Sequence, residues 1–450
     1  MKKVITYGTF DLFHEGHLNL LKRAKQLGDY LIVGVTTEQY DEYRGKLNVV
    51  DSLMQRIENV RKTGLADEII IEDHVGQKLE DIIKYGIDIF VVGSDWKGKF
   101  DYLKPYCEVI YLERTRGISS TILRQKKCGI IRLGIIGTGR IAKRFVQEVK
   151  YVSGTNLEGV YNPNLDSAKK FADEFELKFY TDNLEYFFNN IDAVYIASPH
   201  KTHYEYIKKA LVNNKHVLCE KPLVLNAIEA EDVYTLAKNN SLVLIEAIKT
   251  AYCPGFKKLL SIAKSGKIGK IKDVEATFTK LVSGQTRELD PNENGGSVTE
   301  LASYPLLAII KLLGVNYKDV KFESLINKNN IDLYTKIHLK YEDALATAKV
   351  GLGVKSEGHL LISGTNGYIY VEAPWWKTKN FEIRYENQDD NEKFFYKFDG
   401  EGLRYELSEF ISMISGNKKL EYKLYDYESI SIIKIIEMFL KKENTIEIKY

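Results

Sequence analysis

The chain has few cysteines, no long apolar run and almost no net charge, and each shortage removes a class of protein. Its four cysteines, Cys107, Cys128, Cys219 and Cys253, lie far apart with no CxxC pair. This excludes a disulfide scaffold and a cysteine-rich zinc site, and it fits free thiols in a reducing compartment. No stretch approaches the roughly 20 apolar residues that span a bilayer; the run 31–35 is short, and 430–440 carries Lys434 and Glu437. The opening MKKVITYGTF lacks the apolar region of a secretory signal, so a cytoplasmic protein is expected. Lys and Arg number 64 against 62 Asp and Glu, a net charge of +2. Such a balance gives no basis for nucleic-acid or membrane partners. Internal repeats and low-complexity tracts are also lacking.

What remains is a chain of 450 residues, 44% hydrophobic and 28% charged, with room for about three folding units at roughly 150 residues each. Twice, an apolar β-type run enters a glycine-rich turn and continues as a helical pattern. The first instance is Val4-Ile5-Thr6-Tyr7, then GTFDLFHEGH, then HLNLLKRAKQLG with Leu18, Leu21 and Ala24 at helical spacing. Strand-like YLIVGV, EIII, DIFVVG and EVIYL follow, separated by helix-compatible segments, which predicts a mostly parallel sheet covered by helices. The pattern restarts at residue 130 and alternates again through LEGVYN, AVYIAS, HVLCE and LVLIEA. Beyond about 250 it changes to DVEATFTKL, YTKIHLKY, ALATAKVGLG, GHLLISG, GYIYVEA and NFEIRYE, which predict a large, mostly antiparallel sheet. The expected class is therefore α/β: one Rossmann-like unit over 1–128, a dinucleotide-binding unit over 129–249, and an α+β unit over 250–450.

In GTFDLFHEGH, His14 and His17 flank Gly16 where the chain enters a helix. A helix start binds anions through its free N–H groups, and two imidazoles there can offset charge on an attacked phosphorus. The whole segment resembles the HxGH signature of class I nucleotidyltransferases, and RTRGISSTILR resembles that superfamily's second signature. Residues 1 to about 127 resemble the glycerol-3-phosphate cytidylyltransferase family throughout. The resemblance implies attack of an alditol phosphate on the α-phosphorus of CTP, with Mg2+ accompanying the nucleotide and pyrophosphate leaving. It assigns His14 and His17 to the triphosphate and transition state, Thr9 and Phe10 to the backbone around the nucleotide, and Asp11 to orienting a histidine or hydrated magnesium. Arg114, Gly117, Ser119 and Thr121 would grip the phosphates from the other side. Arg44 and Lys46 occupy the family's basic segment, with Arg44 standing where lysine is frequent. Arg56 would meet the substrate phosphate, and Asp95 and Trp96 fit a GxDW segment.

The second turn, GIIGTGRIA, carries GxGxxA, in which Gly137 and Gly139 permit close approach of a dinucleotide pyrophosphate to the helix bearing Arg140, Ile141 and Ala142. Where an acid would bind the adenine ribose stands Asn162-Pro163-Asn164, leaving NAD and NADP equally open. SPHKTHYEYIKKAL, HVLCEKPL and SGKIGKIKDV resemble the glucose–fructose oxidoreductase, inositol dehydrogenase and rhizopine-catabolism oxidoreductase family over 130–450. The resemblance implies hydride transfer between nicotinamide and a carbon bearing a hydroxyl or carbonyl on a sugar or polyol. It assigns Lys221 and Glu220 of EKP to the nicotinamide end, Tyr304 to proton donation, and Glu300 to the place usually held by aspartate. Pro199 and His203 would border the cofactor. The remaining histidines, His74, His200, His216, His338 and His359, form no ligand-spaced cluster, so no metal site is expected. Trp375-Trp376 reads as packing.

Together these readings predict a bifunctional, homo-oligomeric enzyme that makes a CDP-alditol from a sugar phosphate and CTP. The alternative is a cytidylyltransferase carrying a non-catalytic nicotinamide-binding module.

Overall fold

The computed structural model describes residues 1–44, 46, 49, 51–113, 130–284, 286–415 and 424–449. The chain divides into two compact units, Met1–Ile131 with Lys150–Asn156, and Arg132–Val149 with Leu157–Tyr450.

The first unit is built on five strands: β1 (Lys3–Gly8), β2 (Tyr30–Thr36), β3 (Glu68–Glu72), β4 (Ile89–Gly93) and β5 (Glu108–Leu112). They lie in the order β3-β2-β1-β4-β5, every pair parallel. Successive residues of β1 serve opposite faces. Val4 packs with Leu21, Ala24, Ile57 and Val60, whereas Ile5 and Tyr7 pack with Ile82, Phe90 and Leu103. Burial on both faces is why these strands are near-continuous apolar runs. The strand order reverses direction at β1, so the loop leaving β1 emerges at the switch point where such sheets bind ligands.

The second unit begins with β6 (Ile131–Ile136), β7 (Thr155–Tyr161), β8 (Phe179–Thr181), β9 (Ala193–Ile196), β10 (His216–Glu220) and β11 (Leu244–Ala247). Their order is β11-β10-β9-β6-β7-β8, again doubly wound. A second sheet follows, from β12 (Ile271–Thr279), β13 (Asp319–Ile326), β14 (Asp332–Lys340), β15 (Leu345–Gly351), β16 (Leu360–Gly364), β17 (Tyr368–Val371), β18 (Asn380–Arg384), β19 (Glu392–Phe395) and β20 (Thr445–Lys449). It is ordered β19-β18-β17-β16-β12-β15-β14-β13-β20, antiparallel except for β12–β15 and β13–β20. In β13, Val320, Phe322, Ser324 and Ile326 are buried, while Lys321 and Glu323 are exposed. That alternation is the signature of a sheet with one covered face. The helix Ser303–Leu313 lies on β12 and β15 and is buried along nearly its whole length.

Trp375 is fully buried and donates its indole N–H to the Thr277 carbonyl at 2.9 Å, a packing role. Cys107, Cys219 and Cys253 are free thiols, and Cys128 lies outside the described residues. Among the described residues, no helix is long and apolar enough to cross a membrane.

Candidate active sites

The loop leaving β1 is held in an uncommon backbone conformation. Phe10 and Leu12 have φ of 52° and 46°, a region that costs non-glycine residues energy and recurs at functional sites. Phe10 is held there by burial; its ring stacks on Phe13 and meets His17 edge-on at 5.4 Å. The helix Glu15–Lys25 starts immediately after. His14 Nδ1 accepts the Gly16 N–H at 3.1 Å, and His17 Nδ1 accepts the His14 N–H at 3.4 Å. With Nδ1 an acceptor, each neutral ring carries its proton on Nε2 and is a donor there. The two rings stack with centroids 3.8 Å apart. A Cβ on Gly16 would lie 2.9 Å from the His14 ring, so glycine here makes room for that imidazole.

Around this loop the charged residues act as braces. The Thr9 hydroxyl donates to Asp41 at 2.9 Å, the Asp51 N–H donates to Asp11 at 2.8 Å, and the Leu12 N–H donates to Asp51 at 3.0 Å. Arg44 pairs with Asp41 at 2.7 Å, and the Lys46 N–H donates to the Asp41 carbonyl at 2.7 Å. Arg56 is the residue expected to meet the substrate phosphate. Its side chain is fully buried, donating to the Asp51, Thr9 and Thr36 carbonyls at 2.9, 2.9 and 2.7 Å. Arg56 therefore ties the β1 loop to the end of β2. Arg114, Gly117, Ser119 and Thr121, and the side chain of Asp95, lie outside the described residues; Trp96 packs at a tilt against Phe100.

In the second unit a cavity of about 660 Å3 gathers residues from the ends of β6, β7, β9, β10 and β11 and from the sheet domain. At its floor, Gly137 has φ of 104°, and a Cβ there would lie 2.6 Å from the Ala197 carbonyl. Only glycine lets β6 approach β9 so closely. At Gly139 a Cβ would meet nothing within 4 Å, leaving open space at the start of the helix Arg140–Val149. These features fit a dinucleotide pyrophosphate on a helix N-terminus. Arg140, Ile141, Asn162 and Pro199 line the same cavity. Asn162 donates to Thr138 at 2.9 Å, and Arg140 pairs with Glu288 at 2.7 Å.

At the other end Lys221, Glu220, Glu300 and Tyr304 converge. Lys221 Nζ donates to the Glu300 carbonyl at 2.9 Å and lies 3.9 Å from its carboxylate. That carboxylate also meets Arg287 at 3.0 Å and His200 at 3.9 Å. Glu300, longer than the aspartate of the resembling family, thus reaches three cationic or titratable groups. Glu220 accepts the Tyr195 hydroxyl at 2.5 Å. Burial, and then the charge of Glu220, push the Tyr304 phenol well above the ordinary tyrosine range. It therefore stays protonated and can act as a donor.

His203 is the residue expected to border the cofactor. This residue is fully buried, its ring nitrogens 2.9 Å from the Pro222 carbonyl and 3.0 Å from the Ser198 carbonyl. Burial brings it down to about 4, so the ring is neutral and donates to one of the two carbonyls. The histidine lining the cavity is His200, also buried, whose Nδ1 has no hydrogen-bond partner. Burial and the nearby Lys221 charge hold it well below the ordinary histidine range. Its place beside Pro199 was the signal available in the sequence. Asp332 was legible from no motif: on β14 it accepts the Val298 N–H at 2.9 Å and so seats the short helix Ser297–Leu301 that carries Glu300. Among the described residues no cluster of metal-ligating side chains is present.

Comparison with known proteins separates the same two parts. Residues 5–126 match the cytidylyltransferase-like family. Residues 131–247 match the oxidoreductase family with an NAD-binding Rossmann fold, and 256–370 match the GFO/IDH/MocA C-terminal domain. Glycerol-3-phosphate cytidylyltransferase of Bacillus spizizenii is 55% identical over 125 residues, 28% of this chain and 96% of that protein. The uncharacterized oxidoreductase YgjR of Escherichia coli is 31% identical over 253 residues, 54% of this chain and 76% of that protein. The chain belongs to both families. It is a bifunctional enzyme, with a cytidylyltransferase domain and an NAD(P)-dependent oxidoreductase domain. The oxidoreductase fold is shared with KijD10, a 3-ketoreductase from Actinomadura kijaniata solved with NADP and TDP-benzene. The TM-score is 0.63 at 22% identity, covering 71% of this chain and 99% of that one.

Proposed function

We propose that the oxidoreductase domain reduces a ketose or aldose phosphate to an alditol phosphate, and that the cytidylyltransferase domain joins this product to CMP from CTP. The observation that carries the reading is the union of these two domains in one chain. An alditol phosphate is what reduction of a sugar phosphate yields and what a glycerol-3-phosphate-like cytidylyl transfer consumes. The CDP-alditol would serve as an activated donor for a capsule or teichoic-acid-like polymer made in the cytoplasm.

In the reductive step, bound NAD(P)H supplies a hydride to the carbonyl carbon. Gly137, Gly139, Arg140, Ile141 and Asn162 hold the dinucleotide, while Lys221 polarises the carbonyl oxygen and Tyr304 protonates it as the alkoxide forms. NADP is supported as the cofactor by the NADP-bound 3-ketoreductase of the same fold. In the second step a phosphate oxygen of the alditol phosphate attacks the α-phosphorus of CTP, which enters with Mg2+, and pyrophosphate leaves. His14 and His17 donate from Nε2 to the phosphate oxygens. Positioning and charge neutralisation carry the rate, because phosphoryl chemistry asks little covalent work of the protein. Arg114, Ser119 and Thr121 are assigned to the same phosphates by the family resemblance.

The test is pyrophosphate release from CTP and Mg2+ with three- to six-carbon sugar phosphates, each with and without NADH or NADPH, and with glycerol 3-phosphate as the reductant-free control. Release that needs both one carbonyl substrate and reductant supports the coupled sequence. Release with glycerol 3-phosphate alone, and with no carbonyl compound, overturns it.

A further inference from the structure

At the end of the oxidoreductase cavity where Lys221 and Tyr304 converge, three neighbouring side chains each carry a buried polar atom that makes no hydrogen bond: Nδ1 of His200, Oε1 of Glu300 and Nη1 of Arg287. His200 and Glu300 are 6% and 7% exposed, and all three residues line the cavity. Their side chains meet at one oxygen. His200 Nδ1 lies 3.9 Å from Glu300 Oε1, and Arg287 Nη2 lies 3.0 Å from that same oxygen as an ion pair. The other carboxylate oxygen, Oε2, lies 3.9 Å from Lys221 Nζ.

Buried polar atoms are nearly always satisfied, so three such atoms in one place call for a ligand that satisfies them. A separation of 3.9 Å is too long for His200 and Glu300 to bond to each other. It is a span that one oxygen, about 2.8 Å from each, can bridge. The donors and acceptors narrow the chemistry. Glu300 accepts, Arg287 donates, and the neutral imidazole of His200 can do either at Nδ1. A phosphate there would set its charge against the Glu300 carboxylate, and an ammonium would set its charge against Arg287 and Lys221. A hydroxyl, which both donates and accepts, suits all three.

We propose that His200, with Glu300 and Arg287, is a specificity site for a hydroxyl on the carbon next to the reacting carbonyl, so that the substrate is an α-hydroxy ketone or α-hydroxy aldehyde whose phosphate lies away from these residues. The inference rests on the reductive reading of this cavity and names its substrate class. The spacing comes from Glu300. Its Oε1 takes the hydroxyl, while Lys221, which polarises the reacting oxygen, stands beside Oε2 of the same carboxylate. The two substrate oxygens are thereby held close together, as on adjacent carbons. His200 touches the substrate without exchanging a proton with it. Without the hydroxyl its Nδ1 stays unpaired in a buried site, and that cost discriminates against a deoxy analogue.

The experiment uses the full chain with His200→Leu, which removes the hydrogen-bonding atom, and His200→Asn, whose amide can place a polar atom where Nδ1 stands. Reduction by NADPH is compared for pairs that differ in one hydroxyl beside the carbonyl: dihydroxyacetone phosphate against hydroxyacetone phosphate, and D-xylulose 5-phosphate against its 1-deoxy analogue. The unmodified chain should favour the hydroxylated member about 10- to 10²-fold in kcat/KM, the cost of leaving a buried polar group unpaired. That ratio should fall about tenfold in His200→Leu and persist in His200→Asn, with NADPH affinity and CMP transfer unchanged. Equal turnover of the two members overturns the proposal, as does a ratio that survives in His200→Leu. A loss in His200→Leu matched by weakened NADPH binding also overturns it, because that marks a packing role. A second readout needs no turnover: ribitol, a polyol with neither carbonyl nor phosphate, added to the NADPH complex should shift the nitrogen NMR resonances of the His200 ring, which are identified by their loss in His200→Asn. A ring that does not respond overturns the site, whether or not a carbonyl compound is reduced. If no sugar phosphate of three to six carbons is reduced while ribitol shifts those resonances, the reductive reading fails and the hydroxyl site stands.

Discussion

The ammonium of Lys221, at the end of β10, donates a 2.9 Å hydrogen bond to the backbone carbonyl of Glu300, 79 residues later in the chain. This contact joins the nucleotide-binding sheet to the short helix that precedes Tyr304, so one polar link fixes both groups assigned to proton handling. Lys221→Met should lower kcat for carbonyl reduction by about 10²- to 10⁴-fold, the usual worth of a positioned acid–base group. Binding of NADPH, read by quenching of protein fluorescence, should change by less than about tenfold, or 1.4 kcal/mol. Retained turnover in Lys221→Met would remove the lysine from the mechanism.

His14 and His17 are half-buried at the start of their helix, outside the buried core cluster. Replacing either by alanine should cut CTP-dependent pyrophosphate release about 10²- to 10³-fold, the loss typical of one donor to a charged transition state. NAD(P)H oxidation in the same preparation should be untouched, because those residues belong to the other unit. A joint loss of both activities would show instead that the histidines matter for folding.

Two glycines are predicted to be irreplaceable for different reasons. At Gly296, φ is 137° and a Cβ would lie 2.0 Å from Asp332 Oδ1, so Gly296→Ala must displace the carboxylate that seats Ser297–Leu301. Thermal denaturation should register a loss on the order of 2–4 kcal/mol. Gly137→Ala meets the Ala197 carbonyl in the floor of the cavity, and calorimetric titration should find nicotinamide binding weakened more than stability is reduced.

Buried groups of opposite sign titrate over the same pH window, and the acids outnumber the histidine. Burial pushes Asp332 and Glu246 up to about 7, against about 4 in an unfolded chain. Between those values the folded protein holds protons that the unfolded chain has released, so stability falls as pH rises from about 4 through about 7. His203, brought down to about 4 by burial, works the other way: its contribution is present above about 6.5 and is lost as pH falls toward about 4. Two acids outweigh one histidine, so denaturation midpoints should fall as pH rises from about 4 to about 7, and Asp332→Asn should flatten that fall. An unchanged slope in that variant would remove Asp332 from the account.

His200 and His203 offer a direct comparison. His200→Ala should alter reduction kinetics while leaving stability within about 1 kcal/mol, and His203→Ala should destabilise by roughly 2–3 kcal/mol through loss of a buried, hydrogen-bonded ring. Turnover and denaturation of the two variants decide the matter; a reversal of the two effects would return the catalytic cavity to His203.

Much of the architecture is legible because it is local. Alternation in β13 and continuous burial in β1 and β6 follow from whether one or both faces of a strand are covered, and the residue pattern records that directly. The glycines of GTFDLFHEGH and GIIGTGRIA are equally readable, since the backbone they permit belongs to the segment itself. Harder to see were Phe10 and Leu12 in the left-handed region, where burial of the Phe10 ring overrides intrinsic preference.

The amino-acid order by itself determined two glycine turns at the ends of parallel strands, the helices that follow them and the families they mark. Only the tertiary structure decided which way the side chains near those turns face. Arg56 goes inward because three backbone carbonyls converge on it, and His200 rather than His203 reaches the cavity because of how the start of helix His203–Val212 sits between Ser198 and Pro222. Glu300 joins the site from 79 residues beyond Lys221, and Asp332, which seats its helix, from 111 residues beyond it. Their roles depend on burial and on neighbouring charge, and these exist only once distant segments have packed together.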